Sequence, residues 1–365
     1  MTNSNAPRVN LNPYMDWLAK EGIPVTEDFG MDLFAVETKP WARFDAHGAA
    51  VHLKGRGDFA NMFVLEIPPK RATSPQRHLY EEVVYVLAGT GSTTVEASDG
   101  KRHSFEWGPK SMFAIPLNAK YRHFNGSGTE SVRMVSTTDL PLIMNTFHNE
   151  QFIFDNSFGF DDHFGDPKHF SGEGNFLQFS SDNPVWETNF VPDLGAIELK
   201  LWAARGGGSS TMKFILADSI LHAHTSEMPV GTYKKGHRHG SDLHVLCVTG
   251  HGYSLFWYEG DADFHRVDWK HGTVFAPPDQ MFHQHFNTSP DPARYFATGM
   301  GSHRYPFTEQ KRRMSFGGVS TSVKEGGNQI EYEDQSPRIH AMYEEAAKLH
   351  GFTINMPRIK PIFAA

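Results

Sequence analysis

Three histidines in the second half of the chain have the spacing of a metal site. His237 and His239 are two residues apart in GTYKKGHRHG, and His283 follows Pro277 and Pro278 in a later segment. Because side chains of a strand alternate between its faces, His-x-His presents both imidazoles on one face. Imidazole nitrogen suits Fe(II), Zn, Cu or Ni better than Mg or Ca. The sequence therefore predicts that these three histidines bind one transition metal ion.

An earlier stretch of the chain repeats this arrangement. When the two stretches are aligned, four pairs of identical residues coincide: His78 with His239, Pro68 with Pro229, Gly89 with Gly250 and, after one inserted residue, Asn125 with Asn287. A repeat of this length, with one copy in each half, predicts two similar domains. The length of 365 residues gives each domain enough chain to bury its own core.

The first copy has lost most of the metal-binding side chains. Gln76 and Tyr121 replace the first and third histidines, while His78 and the carboxylate of Glu82 remain. A neutral amide and a phenol that is protonated at neutral pH are poor ligands for a metal ion. We expect a structural domain here, in which Glu82 and His78 hydrogen-bond to each other or to Tyr121.

The two motifs of the second copy resemble those of the cupin superfamily. The first is Gly231-x5-His237-x-His239, and the second is Pro278-x4-His283-x3-Asn287. With the repeat, the chain resembles a bicupin over roughly residues 40 to 310. This resemblance implies an all-β fold of two tandem cupin barrels, each a double-stranded β-helix or jelly roll, with short flanking helices.

The repeat and its flanking segments divide the chain into five parts. The predicted parts are residues 1–43, an amino-terminal helix and extension; 44–150, the first barrel with a degenerate metal site; 151–185, a linker; 186–310, the second barrel with the metal site; and 311–365, an extension with a helix. Capping residues predict one helix between Asn12 and Gly22 and another between Ser336 and Gly351. The second helix is expected to cover a barrel end or a partner subunit.

Within the cupins, the chain is similar to the gentisate and salicylate ring-cleaving dioxygenases and to other three-histidine oxygenases. The likeness lies in His-x-His without the motif glutamate, in the ending HQHFN at 283–287, and in TTDLPLIMNTF at 137–147. It implies an Fe(II)-dependent dioxygenase that uses dioxygen to cleave or oxidise a small chelating aromatic or dicarbonyl-type compound. A metal bound by neutral ligands also favours an anionic substrate.

The chain departs from that family in two respects. The metal ligands lie in the second barrel rather than the first, and the basic residue that the family uses for the substrate carboxylate falls on Val245. The alternative function is therefore a non-oxidative isomerase, decarboxylase or hydrolase that uses Zn, Mn or Ni as a Lewis acid. Sequence does not separate the two, because neutral imidazoles do not select one metal.

Two further histidines are candidate catalytic residues. His285 lies two residues after His283, so both should point into the barrel, and His285 could give or take a proton. The alternative is a core histidine that is bonded to a backbone carbonyl. The motif carboxylate position falls on Leu243, and the next residue, His244, should face away unless a bulge makes it a fourth ligand.

Aromatic walls with a few polar groups are typical of small-molecule sites. Four residues of the second copy are predicted on this basis to contact the substrate: Arg238, Trp257, Tyr258 and Phe264. His222 and His224 form another His-x-His pair, but no third ligand is identifiable. We expect these two at the mouth of the cavity or on the surface.

Composition excludes several classes of partner. A net charge of −8 argues against binding to nucleic acid or to an anionic membrane surface. The amino terminus lacks the pattern of a secretory signal, and no apolar run approaches eighteen residues. The single cysteine, Cys247, cannot form an internal disulfide. We expect a soluble, cytoplasmic protein, assembled as a homo-oligomer, either a dimer or a tetramer.

Overall fold

The computed structural model describes residues 10–180, 183–240, 243–307 and 320–357. The strands, in chain order, are β1 (Val25–Asp28), β2 (Gly30–Asp32), β3 (Lys39–Trp41), β4 (Ala46–Leu53), β5 (Asn61–Ile67), β6 (Glu82–Ala88), β7 (Gly91–Glu96), β8 (Arg102–Trp107), β9 (Met112–Ile115), β10 (Lys120–Asn125), β11 (Val132–Thr138), β12 (Asn175–Ser180), β13 (Asn183–Glu187), β14 (Phe190–Val191), β15 (Lys200–Leu201), β16 (Ser210–Ile215), β17 (Leu221–Met228), β18 (Leu243–Thr249), β19 (His251–Trp257), β20 (His265–Lys270), β21 (Thr273–Phe275), β22 (Phe282–Asn287) and β23 (Ala293–Met300). The α-helices of the described residues span Pro13–Glu21, Leu140–Phe147, Glu150–Phe154 and Pro337–His350, and 3-10 helices span Asp161–Phe164, Pro167–Phe170, Ala203–Arg205 and Val323–Glu325.

Over the described residues, the strands form two jelly-roll units. In the first unit a large sheet, ordered β1-β4-β5-β11-β6-β9-β14 with β3 beside β4, faces a small sheet, β10-β7-β8. In the second unit a large sheet, ordered β12-β13-β16-β17-β23-β18-β21-β2 with β15 beside β16, faces a small sheet, β20-β19-β22. The predicted all-β fold of two tandem jelly-roll units with short flanking helices is confirmed.

The repeated asparagines mark equivalent positions in the two units. Each donates from its side-chain amide to three backbone carbonyl oxygens: Asn125 to Ile67, Pro68 and Glu130, and Asn287 to Met228, Pro229 and Asp291. A buried amide that is satisfied in this way joins the end of one strand to the turns beside it. The sequence repeat thus reflects a repeated set of hydrogen bonds.

The two units pack through the outer faces of their large sheets. Along β6, Val84 and Val86 belong to the core of the first unit, whereas Val83 and Tyr85 belong to a core that the units share. The ring of Tyr85 stacks 6.1 Å from that of Phe296 on β23. Because both faces of these strands are buried, their sequences are almost continuously apolar, as in EVVYVLA.

Short strands cross the predicted domain limits. β2, in the predicted amino-terminal extension, pairs with β21 of the second unit. β12, in the predicted linker 151–185, pairs with β13 in the same unit, and β14, in the predicted second barrel, pairs with β9 of the first. Any segment that passes a sheet edge can add a strand there, and the repeat does not encode which segment does. The predicted limit between 310 and 311 lies outside the described residues.

Both predicted flanking helices are present. The side chain of Asn12 caps the amino-terminal helix, which ends at Gly22 with a left-handed backbone. The carboxy-terminal helix ends in the same way at Gly351. Its Tyr343 packs against Phe286 of β22, so the helix covers the outer face of the small sheet of the second unit. In the described part of the chain, no helix is long and apolar enough to span a membrane.

Candidate metal centre

A backbone pairing places the His-x-His segment against β22. The amide of His237 donates to the carbonyl oxygen of His283 at 3.0 Å, and the amide of His283 donates to that of His237 at 2.8 Å. The segment leaves β17 at Gly231, whose φ is 71° and where a Cβ atom would lie 2.0 Å from the carbonyl oxygen of Thr353. Only glycine fits such a position. The motif glycine therefore sets the path that brings the histidines to β22.

The three predicted histidines converge. The ligand atoms of His237, His239 and His283 all lie within 4.8 Å of one another, and all three side chains are buried. The ring centroid of His283 lies 4.1 Å from that of His237 and 4.6 Å from that of His239. Within the described residues, no other group of three histidine, cysteine, aspartate or glutamate side chains meets this distance limit.

The hydrogen bonds of these histidines leave suitable nitrogen atoms for a metal ion. Nδ1 of His239 donates to the carbonyl oxygen of Gly240 at 2.6 Å, and Nδ1 of His283 donates to that of Met281 at 3.2 Å. Because a ring nitrogen that faces a carbonyl carries the proton, Nε2 of each ring has the lone pair with which an imidazole binds a metal. Nδ1 of His237 is buried without a hydrogen-bond partner. The donor set therefore fits a transition metal.

Burial favours the uncharged form of these rings. It lowers the pKa of His237 and His283 well below the usual value, and the positive charge of Arg205 lowers both further. Metal ions bind the deprotonated imidazole nitrogen, so no proton has to be displaced at neutral pH. The rings of His237 and His283 are thus uncharged at neutral pH before any metal binds.

The triad lines a cavity of about 90 Å³. Its wall also includes Trp202, Arg205, Lys213, His285 and Tyr295. No aspartate or glutamate of the described residues lines it. Cations in a low-dielectric cavity without compensating carboxylates produce a positive potential, so the cavity attracts anions.

His285 is held by a pair of hydrogen bonds that recurs in the first unit. Its Nδ1 lies 2.7 Å from Oγ of Ser254, which accepts a hydrogen bond from Nε1 of Trp269 at 3.0 Å. Because indole is only a donor, the Ser254 hydroxyl can donate its own proton to Nδ1, and in that arrangement the imidazole proton is on Nε2. His123 has the same arrangement with Thr93 and Trp107: 2.7 and 2.8 Å. The arrangement alone therefore does not mark catalysis.

A buried lysine lies behind the cavity wall. Lys234 is 1% exposed, and its ammonium donates to the hydroxyl groups of Ser226 and, at 2.9 Å, Tyr295. Burial lowers the pKa of Lys234 well below the usual value. The ring of Tyr295 is centred 5.0 Å from that of His285. Tyr295 thus joins the lysine to the cavity.

The equivalent position of the first unit is filled by hydrogen bonds between its own side chains. The Tyr121 hydroxyl donates to Oε2 of Glu82 at 2.9 Å, and Nε2 of His78 lies 3.2 Å from that oxygen and 3.1 Å from the phenol. Gln76 instead donates to the carbonyl oxygen of Arg43 at 2.8 Å. The predicted hydrogen bonding among His78, Glu82 and Tyr121 is confirmed.

His244 faces away from the triad, which corrects its candidacy as a ligand or catalytic residue. The pairing of β18 with β23 is regular from Leu243 to Cys247, so there is no bulge between these residues to turn it inward. Leu243 lines the cavity, while His244 lies on the opposite face. Burial and the charges of Arg56 and His52, which belong to the first unit, lower its pKa to about 3.

We expect His244→Ala to keep the metal. His244 does not line the cavity and lies on the face opposite the metal-binding histidines. The metal affinity should therefore change by less than about tenfold, which is the smallest loss expected when a contact that orients a metal ligand is removed. Metal titration of the variant beside His239→Ala, which removes a triad member, measures the difference. Loss of most of the affinity in His244→Ala would contradict this placement.

The residues predicted to contact the substrate lie outside the cavity: Arg238, Trp257, Tyr258 and Phe264. Phe256 is in the core of the second unit, so strand alternation turns Trp257 to the outer face of β19, where it stacks on Phe282. Tyr258 is 46% exposed beyond the strand end. Arg238 lies over the ring of Phe282, 4.6 Å from its centroid. Trp257, Phe264 and Arg238 therefore pack on the outer face of the small sheet, whereas Tyr258 is exposed.

Sequence reasoning missed the residues that give the cavity its charge. Trp202 precedes the 3-10 helix at Ala203–Arg205, and nothing in the local sequence marks Arg205 as a cavity residue. Lys213 carried a signal, since it alternates with the buried Met212 and Phe214 in STMKFI and so faces the other side of β16. Two histidines expected at the mouth or on the surface also line the cavity, together with a third: His222, His224 and His303.

Comparisons with known proteins give one curated relative with sequence similarity and several structures of similar shape. No family model matches the chain. Over 75 residues the chain is 32% identical to a 5-aminosalicylate 1,2-dioxygenase from a Comamonas species, a match that spans 20% of this chain and 18% of that protein.

Similar solved structures include an oxalate decarboxylase and a vicilin. The chain superposes on a mutant oxalate decarboxylase of Bacillus subtilis with a TM-score of 0.49 and 11% identity, covering 76% of this chain and 78% of that chain. It superposes on a vicilin of hazelnut, Corylus avellana, with a TM-score of 0.48 and 12% identity, covering 75% and 86%.

Proposed function

We propose that the chain is an Fe(II)-dependent dioxygenase that cleaves or oxidises a small, anionic, chelating aromatic or dicarbonyl-type compound. The observation that carries the proposal is the cavity. It joins three neutral histidines that suit a transition metal to a buried arginine, Arg205, and no carboxylate of the described residues lines it. The 75-residue similarity to a dioxygenase of an aminosalicylate supports the same substrate class.

The metal would be held by His237, His239 and His283. Three protein ligands leave coordination positions for a chelating substrate and for dioxygen. When bound, Fe(II) supplies the one-electron redox chemistry that dioxygen needs to react with a closed-shell organic compound. Zn, Mn or Ni would fit the same imidazole nitrogens, so the donor set alone does not select iron.

The protein side chains of the cavity have separate roles in this proposal. Arg205 attracts and orients the substrate anion, since it is 4% exposed and its charge acts in a medium of low dielectric constant. His285, with its proton on Nε2, donates a hydrogen bond to a substrate oxygen, and Ser254 keeps the ring in that tautomer. Burial of the triad keeps bulk water from the reacting atoms.

Oxygen uptake by the anaerobically purified, Fe(II)-loaded protein tests the proposal. A panel of hydroxy-aryl acids, catechols and diketones is added in turn, and dioxygen consumption is followed with an electrode. We expect about one dioxygen per molecule of converted substrate, and almost no consumption without the organic compound, because the substrate's negative charge must first offset the metal's.

The same assay distinguishes the proposed dioxygenase from an enzyme that uses the metal only as a Lewis acid. An isomerase, decarboxylase or hydrolase would convert its substrate under argon at the rate seen in air. Conversion of a panel compound without dioxygen consumption would therefore overturn the dioxygenase proposal in favour of non-oxidative chemistry.

A further inference from the structure

We propose that Trp202, Arg205 and Lys213 form a second subsite of the cavity, which binds an acidic substituent of the substrate that does not bind the metal. This narrows the substrate to compounds with a chelating oxygen group and a separate carboxylate. The part of this inference that concerns the chelating group rests on the proposed function. The second subsite itself rests on Trp202, Arg205 and Lys213.

Lys213 lines the cavity from β16, which is three strands away from β18 in the large sheet. It belongs to a row of paired residues across the large sheet, from Lys213 on β16 through His224 and Ala297 to Val245 on β18. All four line the cavity. Because neighbouring strands are about 4.8 Å apart, the ends of this row are separated by roughly 14 Å of sheet. The cavity is therefore wide enough to have distinct parts.

Contacts place Arg205 between the metal centre and Lys213. Its Nη1 donates to Oε1 of Gln329 at 3.2 Å, and Gln329 pairs with His237 through the backbone. On its other side, the guanidinium of Arg205 shares the indole of Trp202 with the ammonium of Lys213. A ligand that reaches all three groups must extend along the cavity.

Trp202 holds the two cations in place without neutralising them. The guanidinium carbon of Arg205 lies 4.9 Å from the centroid of the indole, and Nζ of Lys213 lies 5.5 Å from it. A cation above an aromatic face is attracted by the ring quadrupole, but its N–H groups remain able to donate to another acceptor. The two side chains are therefore positioned for an anion.

The charge of Lys213 is unfavourable in this cavity without an anion. Burial and the charge of Arg205 lower the pKa of Lys213 to about 8. Buried charges in proteins are normally paired, and no carboxylate of the described residues lines this cavity. A ligand carboxylate would stabilise the Lys213 ammonium and accept charge-assisted hydrogen bonds from it.

Binding of two matched salicylates to the zinc-loaded protein tests the subsite without turnover. The probes are 5-carboxysalicylate and 5-methylsalicylate, which share the chelating groups and differ only in the substituent para to the phenol. By isothermal titration calorimetry we expect the carboxylate to bind at least about tenfold more tightly, as for a hydrogen-bonded charge pair. Lys213→Met should reduce this ratio to near one.

Matched variants control for charge and folding. Lys213→Arg should retain the ratio, and so should Lys200→Met, which removes an exposed lysine from the neighbouring β15. Lys213→Gln provides a second neutral variant, and metal content and melting temperature verify that each variant folds. A ratio near one in the unchanged protein, or an unchanged ratio in both neutral variants, would overturn the subsite.

Removal of zinc separates this inference from the proposed function. If removal of zinc leaves the affinity for each probe unchanged and the ratio between the two affinities still depends on Lys213, the second subsite stands and chelation of the metal fails. If binding depends on zinc but the ratio is near one, chelation stands and the second subsite fails.

Discussion

Replacing His237 or His283 with alanine is expected to lower the metal affinity of the protein by at least about 100-fold, more than the loss of a contact that merely orients a ligand. Each side chain supplies one of three ligand atoms within 4.8 Å of one another, so either substitution leaves only two protein ligands. Metal content per chain after gel filtration, together with titration of the metal-free protein, measures the loss.

Variants of the first unit provide the control for this experiment. Gln76→Ala and Tyr121→Phe alter side chains at the equivalent positions, where the polar groups bond to Arg43, His78 and Glu82. Both variants should therefore retain one metal per chain. Nearly full metal loading of the double variant His237→Ala, His283→Ala would show that the metal binds elsewhere.

Exchange of Fe(II) for Zn(II) is expected to abolish turnover of the true substrate, to the level of the metal-free protein. Zinc should occupy the same imidazole nitrogens, because His239 and His283 offer Nε2 to either ion. It has no accessible redox change, however, and so cannot support chemistry with dioxygen. Product formation by the two metal forms, measured in air with equal metal content, tests this expectation.

Substrate binding by the zinc form is the necessary control. The zinc protein should bind the substrate with an affinity within about tenfold of the iron form, since the same cavity residues contact it. Turnover by the zinc form under argon as fast as by the iron form in air would contradict the dioxygenase proposal and favour Lewis-acid catalysis.

Local spacing was enough to predict the metal triad and the fold that holds it. Each motif fixes the positions of its side chains over only a few residues. The first motif is His-x-His on an extended segment, and the second is a histidine close to a repeated asparagine. The hydrogen bonds of Asn125 and Asn287 show why the repeat is visible, because each requires an amide at that position. The hydrogen bonds among His78, Glu82 and Tyr121 in the first unit were predictable for the same reason, since these side chains can be read directly from the repeat.

Strand alternation decided some of the remaining site residues, but only where the register was known. It correctly turned His244 away from the triad once the pairing of β18 proved regular. The same rule places Trp257 on the outer face of β19, yet the aromatic side chains of Trp257 and Tyr258 had suggested that these residues contact the substrate. Residue type without register was therefore a poor guide to what lines the cavity.

What the sequence by itself determined is the fold of two tandem jelly-roll units and the convergence of His237, His239 and His283, because both follow from motifs whose spacing fixes local geometry. The tertiary structure decided the charge of the cavity and the composition of its sheets. Arg205 and Lys213 meet at Trp202 only because a 3-10 helix and β16 close the same side of the second unit. Strands β2 and β14 likewise join distant sheet edges. Such contacts depend on packing between segments far apart in the chain, and no local pattern records them.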